Sequence, residues 1–120
     1  TNTFDDTINN AMTIAFWAAL SAALAIAAGA FGAHGAPTDH AKDWLKTGGL
    51  YQLVHAVAAI ALLPAARGPA VLMLAGAAVF AGTLYLMALG APRWFGAITP
   101  IGGTAMIVAW LWAGWIFLRQ

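Results

Sequence analysis

The chain has no cysteine, and charged residues make up only 8% of it. The first absence excludes disulfides, thiol nucleophiles and thiolate metal sites. The few charges, five basic and four acidic, leave a formal net charge of +1. They include no basic cluster, so the electrostatic footprint of a nucleic-acid binder is missing. The first ten residues, Thr1 to Asn10, are polar and carry Asp5 and Asp6. They lack the basic start of a secretory signal and the Arg-rich, acid-poor character of a mitochondrial presequence.

What the chain has is apolar surface: 62% of its 120 residues are hydrophobic, and the mean hydropathy is +0.82. A small soluble domain has too high a surface-to-volume ratio to hide this much, so lipid is the expected solvent. Four uncharged runs, 13–33, 49–66, 70–89 and 98–118, each approach the length of one bilayer crossing, with 49–66 near the minimum. The expected fold is therefore an all-α integral membrane protein, an up-down bundle of four transmembrane helices. Residues 1–10 are expected to form a polar tail, and 11–120 a single transmembrane domain.

The connection between the first two runs, Pro37 to Thr47, holds Asp39, Lys42, Asp43 and Lys46 around Trp44 and Leu45. This pattern predicts a short interfacial helix between helices 1 and 2, capped by Thr38 and ended by Gly48-Gly49. Gly32 and Gly35 are expected to close helix 1 in open or left-handed backbone. Thr99 is the expected cap of helix 4, with Pro100 at its first position. Small residues recur every fourth position: Ala15, Ala19, Ala23 and Ala27, then Ala77 and Ala81 beside Ala78 and Gly82, then Ala105, Ala109 and Ala113. Such stripes let helices approach closely where lipid supplies no hydrophobic drive.

Trp44 and Trp94 are expected at one membrane face and Trp17 and Trp115 at the other, with Trp110 and Trp112 packing or meeting lipid at depth. Lys42, Lys46 and Arg93 on one side outnumber Arg67 and Arg119 on the other, which points both termini away from the cytoplasm. Gly35-Ala36-Pro37 and Gly90-Ala91-Pro92 sit alike in the two halves, as in a degenerate duplication.

Polar side chains gather at His34 and at Tyr51, Gln52 and His55, the last three spaced to share one helix face. Four readings stand open on the residues alone. The histidines satisfy glycine-loosened backbone near Gly32 to Gly35; they grip a lipid or quinone head group; they ligate haem iron; or they bind a metal ion, for which no carboxylate lies in the spans. Ser21, Thr83 and Thr104 are isolated hydroxyls with no base at helical spacing, so no nucleophile dyad forms and no enzyme activity is expected.

Four motifs, Gly29-Ala30-Phe31-Gly32-Ala33-His34-Gly35, Tyr51-Gln52-x-x-His55-Ala56, Phe80-Ala81-Gly82-Thr83-Leu84-Tyr85 and Thr99-Pro100-Ile101-Gly102-Gly103, occur in this order. Together they resemble a small membrane family, the bacterial domain-of-unknown-function 423 group, whose eukaryotic relatives are called transmembrane protein 256-like. The resemblance covers roughly Ala11 to Leu118. It implies a four-helix integral membrane protein without an established activity. It also implies a shared core that includes Gly32, His34, Gly35, Tyr51, Gln52, His55, Tyr85, Thr99, Pro100 and Gly102, with no chemical role assigned to any of them. Glycine-rich pieces at both connections of one face suggest a single site built from both halves, where Tyr85 would donate to His34 or His55.

The functional expectation is a non-enzymatic protein of the bacterial inner membrane, or alternatively of the mitochondrial inner membrane. It needs no cofactor or nucleic acid, and contacts the lipid bilayer. It acts as an accessory subunit of a larger membrane complex or as a self-associating bundle. A binder of lipid, quinone or another small hydrophobe near His34 and His55 is the alternative, and a haem-bearing electron carrier the third.

Overall fold

The structure, a computed structural model, describes residues 2–120, and among these the chain is entirely helical, with no strand. The α-helices are α1 (Thr3–His34), α2 (Asp39–Ala61), α3 (Arg67–Ala88) and α4 (Thr99–Leu118), with a 3-10 helix at Arg93–Ala97 between α3 and α4. Among the described residues, three stretches are long and apolar enough to cross a membrane: α1, α3, and the run Arg93–Leu118 that contains α4. The first two turns of α2 carry Asp39, Lys42, Asp43 and Lys46, which leaves it a shorter apolar part.

Residues 3–10, expected as a tail, form the first turns of α1. Asn2 starts the helix, its Oδ1 accepting from the Asp5 amide at 2.8 Å. Asp5 and Asp6 then lie where the helix dipole favours negative charge. The 32 residues of α1 run most of the 51 Å long axis of the molecule.

Thr38 caps α2 as expected, its hydroxyl accepting from the Ala41 amide at 3.0 Å. The helix it starts does not stop at Gly48-Gly49, so no separate interfacial helix exists between α1 and α2. Both glycines are contact points instead. A Cβ on Gly48 would lie 2.7 Å from the Tyr85 ring, and one on Gly49 would lie 3.0 Å from the Ala25 carbonyl oxygen. Glycine inside a helix costs about 1 kcal/mol in propensity; here the close approach of α1 and α3 offsets it. The short separate helical piece lies between the other pair, as the 3-10 helix before α4.

Gly35 closes α1 as its C-cap, in open rather than left-handed backbone, its amide donating to the Phe31 carbonyl at 2.7 Å. Gly32 differs from expectation: it is helical, and a Cβ there would meet the Leu45 Cβ at 2.9 Å. The left-handed end belongs to α3, where Gly90 has φ 107°. The Gly90 amide donates to the Met87 carbonyl (3.1 Å) and the Ala91 amide to the Leu86 carbonyl (2.9 Å), which is a Schellman motif. The N-cap of α4 is Ile98 without a side-chain cap, and Thr99 lies inside the first turn.

Successive helices pack in order, α1 on α2, α2 on α3 and α3 on α4, with a lighter contact between α1 and α3. The main core is alanine wrapped around Met73, drawing Ala18, Ala59, Ala70, Ala109 and Ala113 from all four helices. Side chains this small let backbones come close enough for dispersion to hold the bundle. The buried seam of α1 is Ala11, Ala18, Ala25 and Gly32, every seventh residue, rather than the stripe through Ala15, Ala19, Ala23 and Ala27. On α3 and α4 the expected positions Ala77, Ala81, Ala109 and Ala113 are buried.

Candidate functional site

Three polar ties join the helices at depth. On α2, Gln52 is 6% exposed; its Nε2 donates to Ser21 Oγ on α1 (3.0 Å), and its Oε1 accepts from the Tyr85 hydroxyl on α3 (2.7 Å). One amide thus holds three helices, donating on one side and accepting on the other. Tyr85 therefore points inward and donates to Gln52, not to either histidine.

The second tie centres on His55, which is 5% exposed. Trp110 Nε1 of α4 lies 3.0 Å from His55 Nε2, and His55 Nδ1 lies 2.7 Å from the Tyr51 carbonyl oxygen. An indole N–H can only donate, so Nε2 is the acceptor and Nδ1 carries the proton that Tyr51 receives. Both ring nitrogens are engaged, and neither has a lone pair open to iron or another metal. Among the described residues, no three His, Cys, Asp or Glu side chains form a group able to hold a metal ion. His34, at the end of α1, is exposed. The backbone that His55 satisfies is that of its own helix, one turn back, rather than that near Gly32 to Gly35.

The third tie is between hydroxyls. Thr83 Oγ1 lies 2.9 Å from the Val79 carbonyl oxygen and 2.6 Å from Thr99 Oγ1, joining α3 to the first turn of α4. Thr99, expected as a cap, serves as this inter-helix partner. One turn further along, Gly102 sits where α3 and α4 come closest. A Cβ there would collide with the Phe80 backbone nitrogen and lie 2.6 Å from the Gly76 carbonyl oxygen.

The ten residues of the expected core thus separate into different settings. Gln52 and Tyr85 meet directly. Tyr51 is half exposed, stacks with His55 (centroids 6.4 Å apart) and meets the Phe80 ring at a tilt (5.0 Å, 55°), so it shares the His55 side of α2 while Gln52 faces α1. Thr99 and Gly102 belong to the α3–α4 seam, and Pro100 is exposed. Gly35 and Gly90 do come together, lining one cavity of about 450 Å³ with Phe31, Thr38, Trp44 and Met87. Neither histidine lines it, and Thr38 is its one hydroxyl.

Three participants stood in no motif: Ser21 and Trp110, whose partners are 31 and 55 positions away, and Gly76. Thr83 lies in the third motif, but its hydroxyl had no partner at helical spacing on the sequence alone. A buried polar group in lipid must find a partner, so Gln52 and His55 announced that partners existed without naming them.

Beside the first tie, the light contact between α1 and α3 leaves a groove. Two cavities of about 510 and 270 Å³ share Leu24, Gln52 and Ala78, and the larger is also lined by Ala27, Ala28 and Gly82. A Cβ on Gly82 would meet nothing within 4 Å.

A helical body with apolar outer faces, membrane-length helices and internally satisfied polar groups is a polytopic membrane protein in contact with the lipid bilayer. Residues 28–103 match the family model described as Protein of unknown function (DUF423), and the chain belongs to this family. Over 106 residues it is 38% identical to the UPF0382 membrane protein YwdK of Bacillus subtilis, covering 78% of this chain and 85% of that one. It is 37% identical to a UPF0382 membrane protein of Haemophilus influenzae over 103 residues, covering 78% and 83%. To the UPF0382 inner membrane protein YgdD of Escherichia coli K12 it is 33% identical over 105 residues, covering 78% and 80%. No solved structure matches the chain.

Proposed function

We propose that the protein is a non-enzymatic, four-span bundle of the bacterial inner membrane that receives a transmembrane helix in its α1–α3 groove. That helix belongs either to a larger complex or to a second copy of the chain. The observation that carries this is the double use of one small-residue stripe. Ala77 and Ala81 of α3 are consumed by internal packing, while Ala78 and Gly82, one position on, face open space in the groove. A small residue four positions from another is the spacing at which membrane helices approach most closely. The fourth crossing is α2, with its charged first turns at headgroup level beside Arg93, whose guanidinium lies 5.9 Å from the Trp44 ring centroid. Placement in the inner membrane is supported by the name of the Escherichia coli relative.

Because the chain has no cysteine, single-cysteine variants test the groove directly. Gly82→Cys should form a cross-linked product in native membranes, and Leu111→Cys, exposed on α4, should not. The mass of the product tells a second copy from another subunit. No product from Gly82→Cys, with the protein recovered only as a monomer, counts against the reading. Iron ligation at His55 finds no free ring nitrogen, because both are already engaged.

A further inference from the structure

A separate cleft of about 620 Å³ lies where the start of α3 faces α1 and Trp112 of α4. Its wall is apolar and opens toward lipid, formed by Ile14 of α1 and Val71, Leu72 and Ala75 of α3. Its mouth is polar, formed by Asn10, Thr13 and Arg67. The Trp112 ring closes one side, so near to Gly68 that a Cβ there would lie 2.7 Å from Cζ2.

Arg67 opens α3, is exposed, and has no ion pair, hydrogen bond or ring contact among the described residues. The other cation at this end is already engaged, with the Arg119 guanidinium 4.2 Å from the Trp115 ring centroid. No carboxylate lines the cleft. No side chain caps α3, so its first amides add positive field at the same mouth. The Asn10 side chain is also without a partner, and Thr13, which donates to the Asn9 carbonyl at 2.9 Å, keeps lone pairs free.

A fork of guanidinium donors matches a phosphate, and an Arg at a helix end sits at headgroup depth. The apolar wall below runs along the helices, the direction in which an acyl chain lies. A cavity of this size is within the range of sites that hold a small ligand, about 300–1,000 Å³. We propose that the cleft seats one anionic phospholipid, its phosphate on Arg67 and an acyl chain along Ile14, Val71, Leu72 and Ala75. The charge of the mouth and the apolar wall select this occupant over a neutral lipid or a free anion.

The test is native mass spectrometry of the intact chain released from nanodiscs of equimolar phosphatidylglycerol and phosphatidylcholine. The wild type should retain one phosphatidylglycerol in preference to phosphatidylcholine. Arg67→Gln, a change at an exposed side chain, should lower that preference about tenfold, the scale of one charge-assisted hydrogen bond. Ala75→Trp should empty the cleft of both lipids, and Arg119→Gln should change nothing. Equal retention of the two lipids by the wild type would overturn the proposal, as would an unchanged preference in Arg67→Gln. Displacement of the lipid by millimolar glycerol phosphate would show a site for free anions instead. Efficient cross-linking of two chains through Ala75→Cys, with no lipid retained, would show a protein contact there.

Discussion

Trp110 on α4 donates its indole N–H to Nε2 of His55 on α2, across 3.0 Å and 55 positions of sequence. Trp110 is 47% exposed, so a half-exposed ring carries one polar atom inward, to a histidine that is itself buried. The indole thereby decides the tautomer: with Nε2 accepting, the ring proton sits on Nδ1.

That assignment is directly measurable. In protein labelled with nitrogen-15 at histidine, His55 should show a protonated Nδ1 and an unprotonated Nε2. Trp110→Phe keeps a ring but removes the donor, leaving a buried acceptor without a partner. A loss of about 1–2 kcal/mol is expected in unfolding from mixed micelles, the range for hydrogen bonds between membrane helices. Finding the proton on Nε2 in the wild type would remove the bond altogether.

The chain Tyr85–Gln52–Ser21 predicts an unequal pattern of losses. Gln52→Leu leaves the Tyr85 hydroxyl without its acceptor, whereas Ser21 can turn its hydroxyl back to a carbonyl of its own helix, as Thr83 does with Val79. Gln52→Leu should cost about 1–2 kcal/mol and Ser21→Ala less than about 1 kcal/mol. Tyr85→Phe added to Gln52→Leu should cost little more than Gln52→Leu alone, because the hydroxyl has already lost its partner. Fully additive losses in that double variant would show that the two side chains do not interact.

How far this was legible in the sequence depends on which physical contrast a feature uses. The helices stand out because charge and apolar run differ sharply, and Thr38 was readable because a cap is a local event. The register of α1 was not readable. Ala15, Ala19, Ala23 and Ala27 and the buried Ala11, Ala18 and Ala25 are chemically alike, and in a bilayer the lipid side is as apolar as the core. Hydrophobicity therefore cannot say which alanines face inward. Gly48 and Gly49 were misread for a related reason: a glycine that ends a helix and one that admits a neighbour look the same without the neighbour. The partners of Gln52 and His55 lie on other helices, outside any spacing rule.

The end of α3 gives a backbone prediction. Gly90 at φ 107° holds a conformation that costs a side-chain-bearing residue about 1–2 kcal/mol, and its Schellman bonds depend on it. Gly90→Ala should destabilise by that amount and raise hydrogen exchange at the Ala91 amide, which donates to Leu86. Slow exchange at Ala91 in the variant would mean that the turn tolerates a Cβ.

The seam between α3 and α4 supplies the sharpest contrast between two glycines of one helix. At Gly102 an added methyl has nowhere to go: it meets the Phe80 backbone and the Gly76 carbonyl, and backbone cannot rotate aside as a side chain can. The helices must separate, which also stretches the Thr83–Thr99 tie one turn away. Gly102→Ala should therefore cost about 2–3 kcal/mol or more, the upper range for overpacking. At Gly114 a Cβ meets nothing within 4 Å, and the same substitution only gains helix propensity. It should be neutral or stabilise by up to about 1 kcal/mol. Parallel unfolding of the two variants checks both, and equal effects would mean that α3 and α4 do not cross at Gly76 and Gly102.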